Sequence, residues 1–279
     1  MAGTDFGAQI ERLGPKHVDA GLALSDEAGW NQTAADWAYF LSRGLVFGLP
    51  DAQGSIVASA ALLPYPPAAW ISLVLVSAAW RRRGMASALF ACCLREAQAR
   101  GLETWLDATP AGAKVYEKVG FRGTGRTFLR LRRGGSEGSP ERAKERTIPD
   151  GLPRLAQTDA LVMGFDRVAL LEELSRRPGS RVYGNEGAVC LVREGRRASQ
   201  IGPLYAEDEA ACASLLTSLA GCEGRDLIID VAGDRPAVLN HLRELGFAGE
   251  RPFLRMRRGA SFNMAKPDAL MAIAGPEFG

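Results

Sequence analysis

The sequence predicts an α/β (α+β) fold built as two related halves in tandem, each a mixed, mostly antiparallel sheet flanked by helices. Three observations predict it. Helical and strand-like patterns interleave through the first 133 residues in the order βααβββαβαβ. The string RTFLRLRRG at Arg126 returns as RPFLRMRRG at Arg251, 125 residues on, with seven of nine positions identical. Between the two lies GGSEGSPERAKERTIPDGLP, rich in Gly, Ser, Pro and charge and poor in apolar residues, as a linker is. The expected division is therefore 1–134, a linker 135–153, and 154–279.

The elements of the first half follow in order. AQIERL reads as a short strand and PKHVDAGLALSDEAG as a helix, with Pro15 acceptable in its first turn. TAADWAYFLSRG is a second helix, capped by Thr33 and stopped at Gly44. Strands are expected at Leu45–Leu49, Ser55–Leu63 and Ala69–Ser77, then a helix from about Gly84 to Arg100. The strand ETWLDA, the short helix AGAKVYEKVG and the strand GRTFLRLRR complete the half. No charge occurs between Ala52 and Trp80, a length that could span a bilayer. Pro64, Pro66 and Pro67 in its middle fit two buried strands joined by a turn instead.

In the second half LDA at Leu106 is matched by IDV at Ile229, and each precedes a short helix that ends in Gly-Phe, at Gly120 and Gly246. Asp107 and Asp230 thus recur, and helix capping is their simplest role. The arginines 130, 132, 133, 255, 257 and 258 recur too, and read as outward positions on edge strands. The segment PDALMAIAGPEFG is apolar enough to dock rather than float.

Composition narrows the function classes. With 279 residues, 47% hydrophobic, 24% charged and a net charge of +2, the chain is neither disordered nor broadly basic, so no nucleic-acid partner is expected. Five cysteines without a CxxC pair suggest a reduced, cytoplasmic protein, and the N-terminus shows no apolar export core. Two histidines leave little for a metal site, and no metal and no membrane partner are expected. Oligomeric state is left open.

The chemistry concentrates in VLVSAAWRRRGMASALF, Val74 to Phe90. A buried strand meets three arginines and a glycine, then an alanine-rich helix. A helix N-terminus offers unpaired N–H groups and a favourable dipole, glycine permits unusual backbone and close approach, and arginine adds charge-assisted bonds. All three point to a bound anion. The triplet also fits a solvated surface run. The aligned stretch in the second half, IGPLYAEDEAACASLL, keeps strand and helix but puts Glu207, Asp208 and Glu209 where the arginines and glycine stood. An anion site of that type is then confined to the first half.

Arg81-Arg82-Arg83-Gly84-Met85-Ala86 resembles the (Arg/Gln)-x-x-Gly-x-(Gly/Ala) signature of the GNAT-type N-acetyltransferases. AKVYEKVGF about 30 residues downstream and the surrounding element order are similar to that superfamily as well. The tandem layout resembles members with a degenerate GNAT-like C-terminal domain. The resemblance implies acetyl-CoA as cosubstrate, with Arg81, Arg82, Arg83, Gly84, Met85, Ala86 and Ser87 at its pyrophosphate. It implies Val74, Leu75 and Val76 along the pantetheine arm, and Tyr116 as the acid that protonates the departing thiolate. Thr109 stands where many members carry Asn, so a hydroxyl would make that bond. The segment GWNQTAADW is implied near the acceptor, with Trp30, Asn31 and Asp36 as candidate substrate ligands. Asp26, Glu27 and Asp36 are the carboxylates at hand for a base, although none is convincing from sequence. Packing is the simpler role for Trp30 and Trp37 and burial for Cys92 and Cys93, while the alternative for Tyr116 is a core tyrosine with its hydroxyl satisfied. The implied activity is acetyl transfer to a small amine by direct attack. The alternative is a non-catalytic acyl-CoA-binding or regulatory protein of the same fold.

Overall fold

The computed structural model describes residues 6–135, 147–148, 151–220, 224–259 and 263–279. They form two compact units, Met1–Leu106 and Asp107–Gly279.

In the first unit, strands β1 (Glu11–Leu13), β2 (Leu45–Pro50), β3 (Ile56–Tyr65) and β4 (Ala68–Val76) pair antiparallel in sequence order, and β5 (Glu103–Ala108) joins β4 in parallel. Helices α1 (Val18–Glu27), α2 (Ala34–Arg43) and α3 (Met85–Ala99) pack on this sheet. The start of the predicted first strand differs: Gly7–Gln9 is a 3-10 turn, and only Glu11–Leu13 pairs. The capping expectation for α2 holds, with Thr33 at its start and Gly44 just past its end. The uncharged stretch is two strands, β3 and β4, and the prolines lie at their junction. Trp37, Phe40, Leu62, Trp70 and Leu89 fill the core, each buried. Roughly 1.5–3 kcal/mol for each such side chain is the driving force for the layer.

The second unit contains α4 (Pro110–Glu117), β6 (Arg122–Arg133), α5 (Gly151–Met163), α6 (Val168–Arg176), β7 (Arg181–Gly184), β8 (Ala188–Arg193), β9 (Ser199–Ala206), α7 (Glu209–Ala220), β10 (Leu227–Ala232), α8 (Pro236–Glu244), β11 (Ala248–Arg258) and β12 (Leu270–Ala272). Of the predicted linker, residues 136–146 and 149–150 lie outside the described residues; Gly151–Pro153 belong to α5 and are helical. β7, β8 and β9 pair antiparallel in order, and β9 meets β10 in parallel. β6 then lies between β10 and β11, antiparallel to both. The compact units are therefore bounded at Leu106 and Asp107, not at the linker between the sequence repeats. The last strand of the first repeat is an inner strand of the second unit's sheet.

That placement corrects the reading of the arginine strands. β6 is not an edge. Arg130 is buried and forks onto Asp230, with Nε to Oδ1 at 2.8 Å and Nη2 to Oδ2 at 2.7 Å. Arg255 makes the counterpart fork to Asp107, at 2.9 and 2.8 Å. Arg130 and Arg255 are repeat equivalents, as are Asp107 and Asp230, so the partners are exchanged crosswise between repeats. The two aspartates are ion-pair partners rather than helix caps. Among the described residues no helix is long and apolar enough to cross a membrane, and no group of three or more His, Cys, Asp or Glu is placed to hold a metal ion. The expectation that the segment after Lys266 docks is met: Leu270 to Ala274 and Phe278 are buried.

Candidate acyl-donor site

The site is built on β4. Its register against β3 runs Ser59 to Leu75 and then Ala61 to Ser72, so β4 carries one extra residue. Leu73 takes up that bulge with φ +49°, a left-handed conformation that costs a non-glycine residue about 1–2 kcal/mol. The Ser59 hydroxyl, buried in β3, donates to the Leu73 carbonyl at 2.8 Å and holds the bulge. The parallel pairing of β4 with β5 covers only Ala68–Trp70 against Glu103–Trp105. Beyond Trp70 the two strands part, and Val74, Leu75 and Val76 lie on the splayed segment. A splayed strand presents backbone donors and acceptors to a ligand instead of a neighbour.

From Ser77 the chain makes a 3-10 turn, Ala78–Trp80, and enters α3 through Arg81, Arg82, Arg83 and Gly84. Gly84 is the N-cap of α3 at φ +87°, and Arg82 sits at φ +62°. A Cβ on Gly84 would meet only Phe6 Cε2 at 3.9 Å, so glycine is required by backbone conformation, not by crowding. The first intrahelical bond runs from Ala88 N–H to the Gly84 carbonyl at 3.0 Å. The N–H groups of Met85, Ala86 and Ser87 precede it and have no acceptor within the helix. Arg81 to Gly84 and Ser87 are exposed; Met85 is buried and anchors the helix start.

Two arginines shape the turn itself. Arg81 Nε donates to the Val76 carbonyl at 3.1 Å, and Arg83 Nη2 to the Ala79 carbonyl at 3.1 Å, with its guanidinium 4.7 Å over the Trp80 ring. No such bond engages Arg82 among the described residues. Glu27, at the end of α1, completes the scaffold. Its carboxylate accepts from Ala78 N–H at 2.6 Å and from the Ser77 hydroxyl at 3.3 Å. The Ala78 N–H above all holds this carboxyl below its ordinary pKa; burial opposes it, and the Ser77 hydroxyl and nearby Arg81 add to the lowering. Val74–Val76 and Arg81–Ser87 are thus joined into one rigid corner, with Glu27 as its strut. Sequence reasoning had Glu27 only as a candidate base; no signal in the sequence marks it as a strut.

Of the acceptor-side candidates, Trp30 and Asn31 lie on the α1–α2 turn and Asp36 in the first turn of α2. Trp30 is half-buried and Asn31 buried. Asp36 is fully buried and committed to a capping box, accepting from Thr33 N–H at 2.6 Å and from the Thr33 hydroxyl at 2.9 Å. Trp37 is buried with its Nε1 donating to Ser25 Oγ at 2.9 Å, a packing role. Cys92 and Cys93 are buried on α3, and burial pushes the Cys93 thiol well up, away from nucleophilic thiolate.

Thr109 and Tyr116 belong to the second unit. Thr109 is the N-cap of α4, and its hydroxyl accepts from Gly112 N–H at 3.2 Å. Tyr116 is half-buried on α4, its ring 6.2 Å from that of Phe121. In the same unit, the segment that answers to the arginine turn is closed by its own acids. Asp208 caps α7, accepting from Ala211 N–H at 2.8 Å, and Glu209 accepts from Val238 N–H in α8 at 3.0 Å. A carboxylate already occupies the place an anion would take.

Residues 21–121 match a model described as the acetyltransferase (GNAT) family, and residues 155–269 a model described as an acetyltransferase (GNAT) domain. The chain belongs to the GNAT acetyltransferase family, with two such domains in tandem. It is 23% identical over 247 residues to YitH of Bacillus subtilis, an uncharacterized N-acetyltransferase, covering 86% of this chain and 87% of that one. It is 25% identical over 231 residues to the holothin acyltransferase of a Pseudoalteromonas species, covering 80% and 78%. Among solved structures, a Pyrococcus horikoshii protein provisionally assigned as an acetyltransferase superposes with a TM-score of 0.73 at 22% identity, covering 96% of this chain and 94% of that one. A tandem GNAT protein from the clavulanic acid biosynthesis pathway gives 0.57 at 15%, covering 91% and 99%. Both share the fold.

Proposed function

We propose that the chain is an acetyl-CoA-dependent N-acetyltransferase that moves the acetyl group directly onto a small amine, with the donor site in the first half. The observation that carries this is the corner itself. A left-handed Leu73 opens β4, and the turn Arg81–Gly84 then delivers unpaired helix N–H groups and an uncommitted Arg82 to one exposed place.

The residues fit a diphosphate ester. The N–H groups of Met85, Ala86 and Ser87 would donate to its oxygens, and Arg82 would add a charge-assisted bond. Arg81 and Arg83 would contribute charge while holding the turn. Val74, Leu75 and Val76 would align the pantetheine arm by strand-like bonds, and an N–H of that segment turned away from β3 would stabilise charge growing on the acyl oxygen. When bound, the thioester supplies an activated acyl group with a thiolate leaving group. Tyr116 would hold a proton at its hydroxyl for that thiolate, whose thiol pKa is near 8.5. The amine must be neutral to attack, although an alkylamine is protonated below about 10.4. Asp36 and Glu27 are occupied by N–H groups, so a water chain is the better route for that proton. The Pseudoalteromonas relative is named an acyltransferase, which keeps acyl groups beyond acetyl within the screen. The buried free thiols of Cys92, Cys93, Cys190 and Cys212 support a reducing, cytoplasmic setting.

The same occupied carboxylates, and a Thr109 hydroxyl turned to its own helix, support a second reading, a protein that binds acyl-CoA without turnover. One experiment separates them. Acetyl-CoA at about 100 times its Kd stabilises a specific binder by about 2.7 kcal/mol, or roughly 5–10 °C in Tm. A shift together with amine acetylation, and loss of about a hundredfold or more in kcat for Tyr116→Phe, supports the enzyme. A shift without turnover across a broad amine screen supports the binder. No shift removes both.

A further inference from the structure

The second unit repeats the splay of β4 and β5, and there it is filled. β9 carries the same bulge: its register against β8 runs Val192 to Ile201 and then Cys190 to Leu204. Gly202 stands at the bulge position that Leu73 holds in β4, with φ +143°. The parallel pairing of β9 with β10 likewise covers three residues, Ser199–Ile201 against Leu227–Ile229, and stops. Into the gap runs β12. Leu270 and Ala272 pair with Tyr205 and Leu204 of β9, Ala272 also faces Val231 of β10, and Ile273 N–H donates to the Asp230 carbonyl at 3.1 Å. In the first unit no strand pairs with β4 on that side beyond Trp70 among the described residues.

We infer that the segment Leu270–Gly279 is a built-in peptide ligand of the second cleft, seated where an acyl donor would lie in the first, and that the chain therefore has a single donor site. The seating is specific. A Cβ on Gly202 would run into the carbonyl oxygen of Ile273, so the backbone of the segment lies directly on the bulge. Buried Arg193 donates to the Ala274 carbonyl at 3.0 Å and to Glu277 at 3.2 Å, with its guanidinium 5.3 Å from the Phe278 ring. Arg167, also buried, donates to the Phe278 carbonyl at 3.2 Å. At the far end of the same cleft the helix N-terminus is already closed by Asp208. Strand edges that a splay leaves without partners are satisfied by an extended peptide in the manner of an added strand. The comparison with the donor cleft rests on the function proposed above; the seating of the segment does not.

Hydrogen exchange on the full chain, with and without saturating acetyl-CoA, tests it. The amides of residues 270–274 should exchange as slowly as those of β9 and β10 and be unmoved by acetyl-CoA, while the amides of residues 84–87 slow. Gly202→Ala should raise exchange at 270–274 at least tenfold, and calorimetric titration should still give one acetyl-CoA per chain. Rapid exchange of 270–274 in the wild type overturns the inference. So does its acceleration by acetyl-CoA, no change in Gly202→Ala, or two equivalents bound by either protein. The wild-type exchange decides alone if Gly202→Ala fails to fold. If no acetyl-CoA binds anywhere, the donor reading fails while slow exchange at 270–274 still upholds the seating.

Discussion

Truncating Arg130 to alanine should cost far more than removing a surface charge. Its guanidinium meets Asp230 through two bonds of 2.8 and 2.7 Å, and the two side chains are 7% and 0% exposed. Without it, the buried carboxylate keeps one hydrogen bond among the described residues, from the amide of Gln200 at 3.1 Å. Leaving one charge of a buried pair uncompensated costs about 3–5 kcal/mol, against about 0–1 kcal/mol for an exposed pair. Replacing both partners, Arg130→Met with Asp230→Leu, removes the uncompensated charge and should recover most of the loss. The assay is urea unfolding at neutral pH, with the midpoint compared at unchanged slope. Arg255→Ala should behave alike, because the Arg255 and Asp107 side chains are both 0% exposed. A loss below about 1 kcal/mol for Arg130→Ala, or a double variant no better than the single, would refute the argument from burial.

Three further outcomes follow from the donor corner and its closed counterpart. Gly84→Ala places an L side chain at φ +87° and should cost about 1–2 kcal/mol of stability and raise the KM for acetyl-CoA with little change in kcat; equal KM in both proteins would show that the turn does not hold the donor. Glu27→Gln weakens the strut at Ala78, and should raise that KM roughly threefold to tenfold with kcat kept. Because the folded Glu27 carboxyl lies below its ordinary pKa, its contribution is full above that ordinary value and is lost as pH falls through the lowered one; the Gln variant should lack this acid dependence in thermal melts. Asp208→Ala removes the α7 cap and should cost about 0.5–2 kcal/mol in urea melts while leaving acetyl-CoA affinity unchanged.

What could be read from the chain was what is set locally. Thr33 and Gly44 bound α2 as expected, since a cap needs only its own helix. The Arg-Arg-Arg-Gly turn was legible because charge and conformational freedom coincide in four residues. The loss of its counterpart at Glu207–Glu209 was legible by comparing repeats. Pairing over long separations was not. Alternating arginines look the same on an edge strand and on an inner one, so the burial of Arg130 and Arg255 had no local sign. Leu73 gives no hint of a left-handed conformation, because the bulge is imposed by β3 and by Ser59. The segment after Lys266 was recognisably apolar, yet its berth between β9 and β10 depends on strands some 40 to 70 residues earlier.

The inner position of β6 bears on how the protein can be made. Its twelve residues are translated with the first repeat, but both strands that flank it, β10 and β11, belong to the second. A nascent chain that has emerged only to residue 134 holds a long strand with two unsatisfied edges, and must keep it from associating until about 100 more residues have left the ribosome. Gene fragments cut at the linker should accordingly yield insoluble products singly and recover on co-expression. The boundary that evolution duplicated is then not one at which the polypeptide can be divided.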